Sequence, residues 1–64
     1  MDTADSFAAF GNLFEAKNEY KKALVYYKKA SKIYEVNLGL KNKETQKMKK
    51  NIKSVTMKIK DRVR

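Results

Sequence analysis

The chain has 64 residues, of which 42% are apolar, and its 16 Lys and Arg against 7 Asp and Glu give a formal net charge of +9. A chain of this length forms one small domain with a thin core. Because Cys and His are absent, disulfides, thiol nucleophiles and the usual ligands of zinc or iron are excluded.

The first helix is predicted to start at Asp2 or Thr3 as the capping residue and to end near Lys17. Its aromatic residues recur at helical spacing and form one stripe: Phe7, Phe10 and Phe14. Gly11 lies inside that stripe, although glycine costs about 1 kcal/mol relative to alanine in a helix. A glycine at this position indicates that a second helix approaches too closely for a side chain.

A tight turn at Asn18 and Glu19 is predicted next, because Asn tolerates the left-handed conformation that ends helices. The second helix is expected from Tyr20 to Leu38, with Gly39 closing it. The apolar residues of this helix follow the helical period closely and share one face: Tyr20, Ala23, Leu24, Tyr27, Ala30, Tyr34 and Leu38.

A third helix is expected to begin at Asn42 or Lys43 and to continue to the C-terminus. Its apolar residues form a single seam, which consists of Met48, Ile52, Val55, Ile59 and Val63. Lysine dominates the other faces of this helix. The sequence therefore predicts an all-α fold, an antiparallel helical hairpin followed by a basic amphipathic helix.

The hairpin resembles a tetratricopeptide repeat. The order of large and small residues in that family is matched by a signature of eight positions: Phe7, Phe10, Gly11, Phe14, Tyr20, Ala23, Tyr27 and Ala30. The longer second helix, residues 30–39, is similar to that of kinesin-light-chain-type repeats, although Glu35 occupies the region of the family's usual proline. The resemblance implies a repeat over residues 1–42 and a capping helix over residues 43–64.

In this family the first helix of each repeat faces a groove that holds a peptide. The resemblance places five residues on that face: Asp5, Ala8, Asn12, Glu15 and Ala16. Most aromatic residues are expected in the core, whereas Tyr26 and Tyr34 are left as alternatives for contact with a partner. Because such repeats usually need about three copies for stability, the resemblance also implies a protein partner, either a peptide segment, another subunit of this type or a second copy of this chain.

The basic third helix gives an alternative function. Its exposed lysines, among them Lys47, Lys50, Lys53 and Lys58, could contact nucleic acid, an acidic protein tail or anionic lipid. Nucleic acid is less favoured, because no aromatic residues interleave with these lysines to stack on bases. A solvated lysine face and a short dimerising coiled-coil seam are the other interpretations of this helix.

Neither catalysis nor a membrane location is predicted. The carboxylates are scattered, no His or Cys could partner them, and there is no glycine-rich phosphate loop. We therefore expect a non-enzyme without a cofactor. The acidic N-terminus lacks the pattern of a signal peptide, and no stretch reaches the ~18 apolar residues of a membrane span, so a cytoplasmic protein is expected.

Overall fold

The structure, a computed structural model, describes residues 2–62, and the side chains of residues 3–61. This part of the chain is all-α and contains three helices: α1 (Asp2–Ala16), α2 (Tyr20–Leu38) and α3 (Lys43–Arg62). The first two form an antiparallel hairpin, and α3 runs back along α2, which is therefore the central helix. Within residues 2–62 no helix combines the length and the apolar character needed to cross a bilayer.

The turn between α1 and α2 is a Schellman motif. Asn18 adopts the left-handed conformation, with φ of 66°, as the sequence predicts. The backbone N–H of Glu19 donates to the carbonyl of Phe14 at 2.8 Å, and that of Asn18 donates to the carbonyl of Glu15 at 3.0 Å. These two bonds satisfy carbonyls that the end of a helix otherwise leaves unpaired, so α1 stops here and the chain reverses.

The turn between α2 and α3 depends on one glycine and one asparagine. Gly39 has φ of 90°, where a side chain would be strained, and its N–H donates to the carbonyl of Glu35 at 3.0 Å. The side chain of Asn42 accepts a hydrogen bond from the backbone N–H of Glu44 at 2.9 Å, which caps α3. Both positions agree with the predicted boundaries.

The start of α1 differs slightly from the prediction. Asp2 already belongs to the helix, so Asp2 and Thr3 lie in its first turn rather than before it. An acidic residue in the first turn still stabilises the helix through its dipole. Asp5, also predicted near this end, contacts the second helix, as described below.

The core is thin and centred on α2. Its fully or nearly fully buried apolar residues are Ala4, Ala23, Tyr27, Ala30, Tyr34, Met48 and Val55. Small residues at 23 and 30 allow neighbouring helices to approach α2 closely, while Tyr27 is the largest fully buried side chain. In the predicted seam of α3, Met48 and Val55 are buried and Ile52 and Ile59 are half-buried; Val63 lies outside the described residues.

Candidate functional site

The phenylalanine stripe of α1 packs against a single tyrosine of α2. The ring of Tyr26 stacks on Phe14, with centroids 5.4 Å apart and an interplanar angle of 17°. It also lies 5.4 Å from Phe10 and 6.0 Å from Phe7 in tilted contacts. Such ring pairs stabilise beyond the area they bury. We call these four rings, together with Leu13 at their edge, the aromatic face.

Much of the aromatic face remains in contact with solvent. Phe10 and Leu13 are each 47% exposed, while Phe7, Phe14 and Tyr26 are half-buried. The stripe is expected to be mostly core, and Phe10 departs from that expectation. The physical reason is that α1 packs against α2 alone on this side, and within residues 2–62 no further helix covers its outer surface.

Two lysines of α2 lie over the rings of the aromatic face. The ammonium of Lys22 is 5.6 Å from the centroid of Phe14. The ammonium of Lys29 is 5.5 Å from the centroid of Phe7 and 5.7 Å from that of Tyr26. These distances fall within the range of cation–π attraction. The face therefore combines exposed aromatic area with positive charge at both ends.

The predicted groove face of α1 is hydrogen-bonded to tyrosines of α2. The hydroxyl of Tyr34 donates to Asp5 at 2.6 Å. The hydroxyl oxygen of Tyr27 lies 2.7 Å from both Asn12 and Glu15. Since a phenol has one hydroxyl proton, Tyr27 donates to one acceptor at a time, and a carboxylate is the stronger acceptor. The structure thus brings three of the five predicted groove residues into bonds within the chain.

These bonds change the acidity of both tyrosines. Burial, followed by the hydrogen bond to Asp5, raises the pKa of Tyr34 to about 12. Burial and the hydrogen bond to Glu15 raise the pKa of Tyr27 well above its usual range. Both hydroxyls therefore stay protonated at neutral pH and act as structural donors.

An ion pair links α1 to α3. The ammonium of Lys58 donates to Glu15 at 2.8 Å, and it lies 5.4 Å from the ring centroid of Tyr20. The hydrogen bond from Lys58, followed by that from Tyr27, lowers the pKa of the Glu15 carboxyl. Contact with Glu15 in turn raises the pKa of Lys58. One predicted groove residue and one predicted basic-surface residue therefore pair with each other, although 43 residues separate them.

The remaining predicted site residues have fewer contacts. Ala8 is half-buried against the core, whereas Ala16, the last residue of α1, is exposed. Lys47, Lys50 and Lys53 are exposed on α3.

An open groove of about 410 Å³ runs between α2 and α3. We call it the lysine groove; its lining consists of Lys28, Ser31, Lys32, Glu35, Lys49 and Ile52. Lys49 pairs with Glu35 at 3.3 Å, so one of the three cations is partly compensated. The groove therefore presents positive charge where a further helix would pack against α2 and α3.

The structure separates the predicted packing signature into two sets. Gly11, Ala23, Tyr27 and Ala30 are buried, whereas the three phenylalanines and Tyr20 keep exposed or half-exposed surface. The sequence interpretation left Tyr26 open as a contact with a partner, but it missed that Lys22 and Lys29 lie on the same face. The spacing of four and three residues from Lys22 through Tyr26 to Lys29 places them on one side of a helix, and that signal could have identified the face.

No group of three or more acidic residues that could hold a metal ion occurs among residues 2–62. No protein-family model, curated protein or solved structure matches this chain. The chemistry of the aromatic face and of the lysine groove is therefore what indicates their function.

Proposed function

We propose that this chain is a non-catalytic protein–protein interaction module, a tetratricopeptide-type hairpin with a C-terminal capping helix, which binds another protein through its aromatic face. The observation that carries this proposal is the exposure of Phe10 and Leu13, each 47%, beside three further rings. Aromatic residues are enriched at interfaces and dominate their binding energy. An exposed cluster of them on a small chain favours a docking surface.

The repeat-type assignment is supported by the pairing of small and large residues across the hairpin. The ring of Tyr27 packs directly over Gly11, and Ala23 and Ala30 are fully buried beside it. In arrays of such repeats, neighbouring units cover each other's apolar faces. The lysine groove offers little apolar area for a unit stacked after α3, which favours α3 as a cap and leaves the outer side of α1 as the surface to be covered.

The aromatic face is a better binding candidate than the predicted groove face. Asp5 already accepts a hydrogen bond from Tyr34, and Tyr27 already donates its one hydroxyl proton to Glu15 or Asn12. A peptide that bound there would have to replace those bonds. Contact with Phe10 and Leu13 would instead bury apolar surface that water now covers.

Site-specific photo-crosslinking tests this proposal. A photoreactive phenylalanine analogue at position 13 is compared with the same analogue at position 57, where Met57 is another exposed apolar residue, on α3. After irradiation in cell extract we expect discrete adducts from position 13 only, which disappear when Phe10 is also replaced by serine. Equal adducts from both positions, or none from position 13, would contradict the proposal.

The size of the adduct identifies the class of partner. An adduct of twice 7.5 kDa indicates a second copy of this chain, and light scattering of the purified chain should then show the same doubled mass. Any other mass indicates a different protein. Both outcomes agree with an interaction module.

A second candidate function is the binding of a polyanion along α2 and α3. The lysine groove favours it, because Lys28, Lys32 and Lys49 line one concave surface. Such binding weakens steeply with salt. Replacement of Lys28, Lys32 and Lys49 by glutamate, one to three at a time, should then reduce binding to heparin or RNA in steps. Unchanged binding would leave the lysine groove as a solvated surface.

A further inference from the structure

The aromatic face contains two similar cation–ring contacts. Lys29 lies over Phe7, and Lys22 lies over Phe14. The two phenylalanines are seven residues apart on α1, and the two lysines are seven residues apart on α2, which runs in the opposite direction. Seven residues of α-helix span about 10.5 Å. The face therefore carries two positive charges about two helical turns apart.

Between these two contacts lies the most exposed ring of the face. Phe10 is flanked along α1 by Phe7 and Phe14 and is 47% exposed, as is Leu13 next to it. An apolar side chain of a partner would be covered by Phe10 and Leu13. The surface therefore has an apolar centre with a cation on either side.

The two lysines are poorly compensated within the chain. Lys22 pairs with Glu19 at 3.2 Å, but both side chains are largely exposed, 64% and 42%. Among residues 3–61, no carboxylate is found within 4 Å of the ammonium of Lys29. A partner that supplied carboxylates at these positions would therefore gain attraction at the rim of the contact.

A second copy of this chain is a poor occupant of the face. A two-fold contact would bring Lys22 and Lys29 of both copies together, and like charges disfavour such a contact. A head-to-tail contact would set these lysines against another surface of the same positively charged chain. The carboxylates of Asp5, Glu15 and Glu35 are already bonded within the chain, and each copy carries a net charge of +9.

We propose that the aromatic face binds an acidic amphipathic helix of a different protein, with two carboxylates seven residues apart on either side of an apolar centre. This inference rests on the proposed function and specifies its partner. The spacing of seven residues between the carboxylates matches that between Lys22 and Lys29. Apolar residues three and four positions after the first carboxylate then lie on the same side of the partner helix as both carboxylates.

Three synthetic peptides of about 18 residues test the proposal. The acidic peptide has Glu at positions i and i+7 and Leu at i+3 and i+4 on an alanine-rich helix. The second peptide has Lys in place of both Glu, and the third has the same composition as the first with both Glu moved to the opposite face. We expect fluorescence anisotropy to give at least about tenfold tighter binding of the acidic peptide than of either control.

Charge reversal on the chain provides the reciprocal test. Lys22→Glu combined with Lys29→Glu should invert the preference, so that the lysine peptide binds more tightly than the acidic peptide. The matched control combines Lys43→Glu with Lys60→Glu, which reverses two exposed lysines on α3. This control changes the net charge equally and should leave the preference for the acidic peptide in place.

The failures of the two proposals are distinguishable. Equal binding of all three peptides that is lost in Phe10→Ser would overturn the acidic-partner inference and retain the docking face. Both proposals would be overturned if binding of the acidic peptide were lost in the control variant of α3, or if it survived Phe10→Ser. No binding of the acidic peptide at 1 mM, or a doubled mass of the chain that reverts in Phe10→Ser, would overturn the acidic-partner inference alone.

Discussion

The ring of Tyr27 packs against the backbone of Gly11 so closely that a Cβ at position 11 would lie 2.6 Å from two ring carbons. Atoms of side chains do not approach a Cβ to that distance without a shift. The hydroxyl of the same ring is bonded to Asn12 and Glu15 on the following turn of α1. Both ends of the Tyr27 side chain are therefore fixed, and α1 and α2 are held at a separation that only glycine allows.

Gly11→Ala should destabilise the chain although alanine is the better helix former. Helix propensity favours alanine over glycine by about 1 kcal/mol. The clash of the added methyl group with the ring of Tyr27 costs about 1–3 kcal/mol, as overpacking does in other cores. We expect a net loss of about 1 kcal/mol in the free energy of unfolding, measured by urea denaturation followed by circular dichroism.

The Gly11→Ala effect should reverse sign when the ring is removed. In a Tyr27→Leu background the added methyl group no longer meets an aromatic ring, and helix propensity should then make Gly11→Ala stabilising. The control Ala9→Gly, at an exposed position of the same helix, should cost about 1 kcal/mol in both backgrounds. A loss of stability from Gly11→Ala in both backgrounds would contradict the contact as its cause.

Most of the fold was predictable because its signals are local. Asn18 and Gly39 end helices because they adopt the positive φ that a helix end requires. Asn42 caps the next helix by accepting a hydrogen bond from the backbone N–H of Glu44, two residues away. The predicted second helix, from Tyr20 to Leu38, has the observed bounds. Glycine within a stripe of aromatic residues correctly indicated a close approach.

The arrangement of the candidate site was less predictable because it depends on how the helices are rotated against each other. Adjacent residues such as Tyr26 and Tyr27 differ by about 100° around a helix, and either could have met the phenylalanine stripe. The helical period did not determine that Tyr27 would lie under Gly11 and Tyr26 beside Phe14. The Glu15–Lys58 pair joins residues 43 positions apart with no shared local pattern, so no sequence signal indicated it.

Tyr34→Phe should make the chain less sensitive to alkaline pH. The protonated hydroxyl is the form that donates to Asp5, and its pKa is raised from an ordinary 10.0 to about 12 in the fold. This contribution to stability is therefore complete below pH 10 and is lost as the pH rises to 12. At neutral pH we expect the variant to lose about 1 kcal/mol of its free energy of unfolding, because the hydrogen bond to Asp5 is removed. The loss stays small because Asp5 is exposed and water replaces the hydroxyl.

The measurement for Tyr34 is the free energy of unfolding at pH 7, 10 and 12. The variant should lose less stability between pH 10 and pH 12 than the unmodified chain. Tyr26→Phe serves as the control, because it removes a tyrosine hydroxyl but leaves the bond to Asp5 in place. Parallel pH profiles for the Tyr34→Phe variant and the unmodified chain would show that the Asp5 contact makes no such contribution.

The Glu15–Lys58 pair should couple α1 to α3 in a way that depends on pH and salt. The carboxyl of Glu15 has a lowered pKa, so its contribution is present above its ordinary value of 4.5 and is lost as the pH falls through the lowered value. A double-mutant cycle with Glu15→Gln and Lys58→Met should give a favourable coupling at pH 7. The coupling should decrease in 1 M salt and at pH 2.

The Glu35–Lys49 pair is the matched comparison for this cycle. It joins α2 to α3 at 3.3 Å, with both side chains more than a third exposed. Since exposed pairs contribute little, Glu35→Gln with Lys49→Met should give a smaller coupling than the first cycle. Equal couplings in the two cycles would mean that the tyrosine hydroxyl bonded to Glu15 adds nothing to the α1–α3 contact.

Thr45→Val should stabilise the chain, because the hydroxyl of Thr45 is buried and has no hydrogen-bond partner among the described residues. The residue is fully buried near the start of α3. An unsatisfied buried hydroxyl costs about 1–3 kcal/mol, and valine has nearly the same shape without it. Thr56 is the natural control, since its hydroxyl donates to the carbonyl of Ile52 at 2.7 Å in the same helix. We expect the melting temperature to rise in Thr45→Val and to fall or stay unchanged in Thr56→Val. A lower melting temperature for Thr45→Val would instead indicate that this hydroxyl has a bound partner, such as a water molecule, in solution.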